Sequence, residues 1–181
     1  MHIDLNAFFA TAEIVRDPSL ANKPLVVGGT GRRGIVSTAS YEARAFGVHS
    51  AMPTYMAERL CPGLIILPPD FKLYSRLSHE FFNFVRHYSP LIEVASIDEC
   101  YVDMTEAMKN VKDPMVYLTN LQNDLYQKTL LKCSIGLGPT KFLAKMASDY
   151  KKPMGITIFR RRDLANTLWT LPIASMYGVG K

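Results

Sequence analysis

The chain has 181 residues, of which 48% are hydrophobic and 20% charged, a composition typical of a globular protein and not of a disordered or fibrous one. No apolar run approaches the roughly 20 residues that span a bilayer and no signal peptide precedes the first strand, so we expect a cytoplasmic protein with no membrane partner. Lysine and arginine exceed aspartate and glutamate by 21 to 16, and the resulting net charge of +5 suits a polyanionic partner such as nucleic acid.

The hydrophobic periodicity alternates between strands and helices along the whole chain. Residues 2–6 predict a strand, and residues 7–15 predict the helix that leaves it. Between the second and third predicted strands, glycines at 28, 29 and 31 predict a tight turn with Arg32 and Arg33 at its tip. The other predicted strands are 24–27, 34–37, 64–67, 133–137 and 156–159, and the other predicted helices are 40–46, 53–61, 70–88, 114–131 and 140–150.

Residues 91–104 are β-like and carry two acids in the middle, Asp98 and Glu99. Adjacent side chains of a straight strand point to opposite faces, so both acids can serve one site only where the chain turns, and we place them at a hairpin tip. The order strand, helix, two strands, helix, strand predicts a ferredoxin-like α+β fold with residues 11–70 as an insertion. The three widely spaced cysteines, with no C-x-x-C pair, are predicted to be free and buried.

Acidic residues occur in two otherwise apolar, strand-like segments that lie almost a hundred residues apart. Asp4 lies in one of them, and Asp98 with Glu99 lies in the other. A buried carboxylate is costly unless a cation or hydrogen bonds satisfy it. Three acids brought together would form an oxygen-ligand site suited to Mg²⁺, which predicts metal-assisted phosphoryl transfer. As ordinary structural residues, Asp4 would instead cap the helix and the other two would lie in a solvated turn.

Five motifs occur in one order along the chain and cover nearly all of it. They are Asp4-x-Asn6-x-Phe8-Phe9, Ser40-Tyr41-Glu42-Ala43-Arg44 with Phe46-Gly47-Val48, Ser96-Ile97-Asp98-Glu99, Ser134-Ile135-Gly136 with Lys141-x-x-Ala144-Lys145-x-Ala147-Ser148, and Lys152-Pro153-x-Gly155. In this order and spacing they closely resemble the Y-family translesion DNA polymerases, on the branch of the bacterial polymerase IV enzymes and their archaeal relatives. Asn6 departs mildly from the pattern, because many relatives carry a second aspartate there.

The resemblance implies a division into polymerase subdomains. It implies a catalytic palm at residues 1–10 and 71–160 and small fingers at 11–70. Residues 161–181 look like the start of a helical thumb, truncated at Tyr177-Gly178-Val179-Gly180-Lys181. The remaining thumb and the little-finger domain would be missing from the chain.

The resemblance also implies two-metal nucleotidyl transfer with Mg²⁺ as cofactor. The catalytic carboxylates would be Asp4, Asp98 and Glu99. The same three residues and the backbone carbonyl of Leu5 would bind the two ions.

Several further residues match positions that the family uses for the incoming nucleotide. Phe9 would be the steric gate that excludes a ribose 2′-hydroxyl, with Phe8 stacked beneath the sugar and base; without the resemblance, both are core aromatics. The small residues Ser37 and Ala51 would form a roof over the nascent base pair. The β- and γ-phosphates would be bound by Tyr41, Arg44 and Lys152.

Two sets of basic residues remain less specific. Lys141 and Lys145 are four apart in one predicted helix, which fits contacts with a DNA backbone and fits ordinary surface charge nearly as well. His2 and the other histidines show no spacing that suggests a ligand set, and we assign them no role.

The implied function is template-directed DNA synthesis of low fidelity, in translesion synthesis and DNA repair. The implied partners are primer–template DNA, deoxynucleoside triphosphates and a sliding clamp that binds through the missing C-terminal region. Three alternatives stay open: a nucleotide cyclase, a ferredoxin-like single-strand binding domain without enzyme activity, and a truncated polymerase fragment that is catalytically incompetent.

Overall fold

The computed structural model describes residues 1–31 and 33–179, and these residues form two compact units. The first unit contains Met1–Asn6 and the chain from Ser78 onward, and the second contains Ala7–Leu77. The strands are β1 (His2–Leu5), β2 (Leu25–Gly28), β3 (Val36–Ala39), β4 (Ile65–Leu67), β5 (Ile92–Val94), β6 (Glu99–Val102), β7 (Cys133–Leu137) and β8 (Ile156–Ile158). The α-helices are α1 (Phe8–Arg16), α2 (Tyr41–Arg44), α3 (Thr54–Leu60), α4 (Phe71–Arg86), α5 (Thr105–Met108), α6 (Pro114–Thr129) and α7 (Lys141–Tyr150).

The first unit is built on a five-stranded sheet with the order β5-β6-β1-β7-β8. Strand β1 pairs antiparallel with β6 on one side and with β7 on the other, and β8 adds to β7 in parallel. Four of these strands have the order expected of the ferredoxin-like plan, and β8 extends the sheet at its edge. The α+β fold class inferred from the sequence is confirmed.

Helix α7 packs unusually close to the sheet at one glycine of β7. A Cβ atom added to Gly136 would lie 2.0 Å from the carbonyl oxygen of Ala144, so only glycine allows this approach. Asp113 caps the start of α6, where its carboxylate accepts hydrogen bonds from the N–H groups of Met115 and Val116. The first unit thus fixes α7 tightly against the strand that neighbours β1.

The second unit contains a three-stranded sheet with the order β3-β2-β4. The expected pair of β2 and β3 is antiparallel, and β4 joins β2 in parallel. One hydrophobic cluster holds this unit together, and its buried members are Val26, Val36, Ala39, Ala43, Val48, Met52, Ala57 and Cys61. The predicted turn between β2 and β3 includes Arg32, which lies outside the described residues.

The elements match the sequence-based expectations with small shifts at their ends, and one short helix, α5, is additional. The unit borders fall at Asn6/Ala7 and Leu77/Ser78, whereas the sequence placed the subdomain borders at 10/11 and 70/71. The names palm, fingers and thumb remain predictions for these segments. All three cysteines are free and buried, as predicted.

Beyond β8 the chain forms two 3-10 turns, Arg161–Asn166 and Ile173–Ser175. Leu164, Leu168, Leu171 and Met176 pack against the buried face of α7. The last two residues of the predicted thumb segment, Gly180 and Lys181, lie outside the described residues. In residues 1–31 and 33–179, no helix is both long and apolar enough to cross a membrane.

Candidate active site

The two carboxylate segments meet in the sheet of the first unit. In the antiparallel pair of β1 and β6, Asp4 lies directly opposite Glu99. Directly opposed residues of neighbouring strands place their side chains on the same face, about 5 Å apart. Their side chains are 12% and 23% exposed, so two carboxylates share a largely buried position. The sheet register thus joins residues that are almost a hundred positions apart.

Two lysines from α7 and its C-terminal end compensate this charge. The ammonium of Lys145 lies 2.7 Å from Oε2 of Glu99 and 3.0 Å from Oδ2 of Asp4. The ammonium of Lys152 lies 2.8 Å from the same Asp4 oxygen. Asp149 contacts both lysines, at 3.5 Å and 2.8 Å respectively. The site is therefore a network of three carboxylates and two ammonium groups.

Within this network the pKa values of Glu99, Lys145 and Lys152 are shifted towards the charged forms. A contact with the imidazole of His2, together with the Lys145 ammonium, lowers the pKa of Glu99 to about 2 against the opposing effect of burial. Burial would lower the pKa of Lys145, but its contacts with Glu99, Asp4 and Asp149 outweigh burial and raise it. Burial alone would lower the pKa of Lys152 as well, but its contacts with Asp4 and Asp149 outweigh burial and raise the pKa above its ordinary value.

His2 is completely buried beneath the site. Its Nδ1 lies 2.8 Å from the hydroxyl of Ser148, and its Nε2 lies 3.3 Å from Oε2 of Glu99 without full hydrogen-bond geometry. His2 and Asp4 are two positions apart in β1, so they share a face of the sheet. The sequence predicts no role for His2, and the structure places its imidazole against the Glu99 carboxylate.

Asp98 lies at the hairpin tip, as the sequence predicts, whereas Glu99 begins β6. The turn closes where the Ala95 N–H donates to the Glu99 carbonyl oxygen at 3.0 Å. One carboxylate oxygen of Asp98 accepts a 2.6 Å hydrogen bond from the Ser96 hydroxyl. Burial is the main cause of the raised pKa of Asp98; the Ser96 hydrogen bond opposes it, and the charges of Asp4 and Glu99 add smaller effects in the same direction as burial. Asp98 therefore lies within the electrostatic influence of the carboxylate pair.

The donor set suits a hard divalent cation. Among the described residues, potential ligand atoms of His2, Asp4 and Glu99 lie within 4.8 Å of one another, and Asp98 is not part of this tight group. Mg²⁺ prefers oxygen ligands, which favours the carboxylates over an imidazole whose Nδ1 already contacts Ser148. The backbone N–H of Leu5 donates to the carbonyl oxygen of Asp98 at 2.9 Å, which ties the predicted Leu5 ligand to the hairpin tip. The residues present fit an oxygen-ligand metal site.

The two phenylalanines of the predicted nucleotide site lie in the second unit. Phe8 is 2% exposed and packs in the core, whereas Phe9 is partly exposed. The ring of Phe9 stacks on Tyr74 with centroids 4.3 Å apart and an interplanar angle of 13°. The Tyr74 hydroxyl donates a 2.6 Å hydrogen bond to the buried carboxylate of Glu13. Phe9 is thus supported by an aromatic ring that is itself anchored.

Tyr41 and Arg44 lie on the same side of α2, as their spacing predicts. The hydroxyl of Ser40 caps this helix by accepting from the Ala43 N–H. The guanidinium of Arg44 lies over the Tyr41 ring, 4.6 Å from its centroid. Nε of Arg44 donates to the Ala39 carbonyl oxygen at 3.0 Å while the residue as a whole is exposed. The pair offers a preorganised cation on the surface of the second unit.

The two predicted roof residues are neighbours in the second unit. The Ala51 N–H donates to the carbonyl oxygen of Val36, the residue before Ser37, at 2.8 Å. Both Ser37 and Ala51 are exposed, so these small side chains contribute to an open surface.

One interpretation of the basic residues is wrong. Lys145 is 9% exposed and bridges two carboxylates, so it is not an ordinary surface charge, and its contact with a DNA backbone stays a prediction. Lys141 is exposed and pairs with Glu93 at the edge of the sheet. The only sequence feature that indicates burial of Lys145 is its position among small and apolar residues. That feature does not identify the carboxylates that Lys145 contacts.

Comparisons with known proteins agree on one family. The sequence profile of the impB/mucB/samB family matches residues 3–149. The chain is 50% identical over 182 residues to DNA polymerase IV 1 of Halalkalibacterium halodurans, covering 99% of the chain and 44% of that protein. It resembles a Y-family DNA polymerase chimera (Dbh-Dpo4-Dbh) with a TM-score of 0.91 at 33% identity, over 99% of the chain and 54% of the chimera. It also resembles the insertion ternary complex of Dbh DNA polymerase with a TM-score of 0.92 at 34% identity, over 99% of the chain and 54% of that polymerase. The chain therefore spans less than half the length of its curated relative.

Proposed function

The chain belongs to the impB/mucB/samB family, and we propose that it is the catalytic part of a Y-family DNA polymerase. It would add deoxynucleotides to a primer under the direction of a template, with low fidelity, in translesion synthesis and DNA repair. The observation that carries the proposal is the largely buried pair of Asp4 and Glu99 on adjacent strands, with two ammonium groups as counterions. A concentrated negative charge held on a rigid sheet is what metal-assisted phosphoryl transfer requires.

The proposed metal ligands are the carboxylates of Asp4, Asp98 and Glu99 and the carbonyl oxygen of Leu5, for two Mg²⁺ ions. When bound, Mg²⁺ lowers the pKa of a primer 3′-hydroxyl and neutralises charge on the departing pyrophosphate. The protein's part is to hold these oxygens in place. The β1–β6 register fixes Asp4 against Glu99, and the Ser96 hydroxyl holds one oxygen of Asp98.

The proposed triphosphate ligands are Tyr41, Arg44 and Lys152. The ammonium of Lys152 already lies 2.8 Å from Asp4, so a phosphate oxygen that binds Lys152 would also be brought beside a metal ligand. The Arg44 guanidinium offers the forked donor geometry that suits phosphate, and the Tyr41 ring restricts its motion. These cations stabilise charge that develops as pyrophosphate departs.

Phe9 is proposed as the steric gate, with Phe8 behind it. A gate works only when the ring cannot move aside, and the stack of Phe9 on the anchored Tyr74 supports such a role. The small side chains of Ser37 and Ala51 would leave room above the nascent base pair for a damaged template base.

The proposed partners are primer–template DNA and deoxynucleoside triphosphates. A sliding clamp is proposed to bind the part of the polymerase that lies outside this chain, and the proposed compartment is the cytoplasm. The net charge of +5 supports a polyanionic partner.

The test is extension of a labelled primer on a template by the 181-residue chain with Mg²⁺, comparing Asp98→Asn with Asp103→Asn. Asp103 is a matched control because it is exposed, lies beyond the other end of β6, and accepts hydrogen bonds from Thr105 that asparagine can also accept. We expect extension that needs Mg²⁺, falls at least a hundredfold in Asp98→Asn and changes less than twofold in Asp103→Asn. Ribonucleotides should be rejected, and Phe9→Ala should relax this rejection.

The alternatives give different outcomes in the same assay. DNA binding without extension, unaffected by Mg²⁺ and by Asp98→Asn, would favour a single-strand binding domain. Cyclisation of a nucleotide without a primer would favour a cyclase. A folded chain that binds primer–template but extends it only when the remaining polymerase domains are supplied would be an incompetent fragment, and failure in that case too would refute the polymerase proposal.

A further inference from the structure

Lys145 occupies an unusual place for a lysine. It lies in a buried stretch of α7, and its ammonium contacts Glu99 at 2.7 Å and Asp4 at 3.0 Å. A third carboxylate, that of Asp149, lies 3.5 Å away on the next turn of the same helix. The only other basic side chains in contact with this carboxylate pair, among the residues described, are His2 and Lys152.

The oxygens that Lys145 contacts belong to two of the proposed metal ligands. A divalent ion held by Asp4 and Glu99 would be ligated by their carboxylate oxygens. An ammonium less than 3.1 Å from the same oxygens would then lie close to the ion, and like charges at such separations repel strongly in a largely buried site. Lys145 and a divalent ion therefore cannot both interact fully with this pair.

We propose that Lys145 is an internal counter-cation that bridges Asp4 and Glu99 and competes with divalent metal for them. The inference rests on the proposed function, because it takes this pair as a metal site. Lys145 is thus a positioning residue, because its ammonium holds the two carboxylates together before the ion binds. The ion must displace this ammonium from the carboxylates, and that requirement lowers the affinity of the site for the ion. The carboxylates are assembled in advance, and the free protein binds metal weakly.

A merely structural lysine gives the opposite expectation. If Lys145 only supported the packing of α7 on the sheet, its removal would let the two carboxylates move apart, and the affinity for metal would fall. If Lys145 is a competing cation, its removal leaves Glu99 without an ammonium contact and Asp4 with only that of Lys152, and the affinity for metal rises. The sign of the change in metal affinity distinguishes these two roles.

The experiment measures binding of Mn²⁺ alone, without DNA or nucleotide, by electron paramagnetic resonance of the free ion. The variant is Lys145→Met, which keeps the length of the side chain and removes the charge. We expect its dissociation constant to fall at least tenfold, equivalent to about 1.4 kcal/mol. The control is Lys141→Met on the same helix, whose partner is the exposed Glu93, and it should change the dissociation constant less than twofold.

Unchanged or weaker Mn²⁺ binding by a folded Lys145→Met chain overturns the inference and leaves the metal site standing. Absence of Mn²⁺ binding by both the parent chain and Lys145→Met overturns the metal site and the inference together. If Lys145→Met fails to fold, reductive methylation of the parent chain replaces it. Mg²⁺ should then displace the Lys145 ammonium and increase the rate at which Lys145 is methylated, while the rate for Lys141 stays the same. A slower or unchanged rate of methylation of Lys145 overturns the inference.

Discussion

The hydrogen bond between Tyr74 and Glu13 gives a prediction whose magnitude follows from the structure. Glu13 is fully buried, its Oε1 accepts from the Tyr74 hydroxyl at 2.6 Å, and Arg16 contacts its other oxygen. Burial and this bond to a carboxylate raise the pKa of Tyr74, so the hydroxyl remains a donor at neutral pH. The substitution Tyr74→Phe removes only the hydroxyl and leaves a buried carboxylate oxygen unsatisfied.

Hydrogen bonds to charged groups contribute about 1.5–3 kcal/mol, so Tyr74→Phe should lower the free energy of unfolding by about 2 kcal/mol. With a denaturant slope of about 2 kcal/mol per molar urea, the midpoint should fall by about 1 M. The assay is urea unfolding followed by circular dichroism. The aromatic ring is kept, so the stack with Phe9 should persist and discrimination against ribonucleotides should not change.

Tyr88→Phe is the matched control for this prediction. The Tyr88 hydroxyl donates to the carboxylate of Asp124 at 2.8 Å, with the same chemistry but in an exposed position. Water can replace that bond, so its loss should cost about 0.5 kcal/mol or less. If Tyr74→Phe destabilises the chain no more than Tyr88→Phe does, burial of Glu13 does not strengthen the contribution of the Tyr74 hydrogen bond, and the prediction is refuted.

Three further predictions concern the first unit and the thiols. The pKa of Glu99 falls from 4.5 to about 2 on folding, so the contribution of Glu99 to stability is complete above pH 4.5 and is lost as the pH falls towards 2. When the free energy of unfolding is measured against pH, Glu99→Gln should lack this part of the loss of stability at acid pH. Gly136→Ala should lower the free energy of unfolding by about 1–3 kcal/mol or more in thermal melts, since its Cβ would collide with α7. Burial raises the pKa of Cys100 to about 12 and also raises that of Cys133, so a thiol reagent should modify both only as fast as the chain unfolds; rapid labelling of the native protein would contradict this.

Much of the fold could be predicted from local pattern. The periodicity of apolar residues predicted the strands and the longer helices, because this signal acts within a few residues along the chain. The motif order predicted the family, and the profile match, the 50% identity to a DNA polymerase IV and the structural likeness confirm it. The helix α5 was missed because four residues carry too little periodicity.

The candidate site was only half predictable. The sequence by itself predicted Asp4, Asp98 and Glu99 as site residues, because a carboxylate in an apolar strand is costly unless a cation or hydrogen bonds satisfy it. The tertiary structure alone decided the counterions of Asp4 and Glu99. Whether a lysine in a helix meets solvent or a buried carboxylate depends on which face of α7 packs on the sheet, and the close approach at Gly136 sets that contact. Burial of Lys145 is tolerable only because β1 and β6 bring two acids to it. These two strands are almost a hundred residues apart in the chain, so no local sequence pattern encodes their pairing.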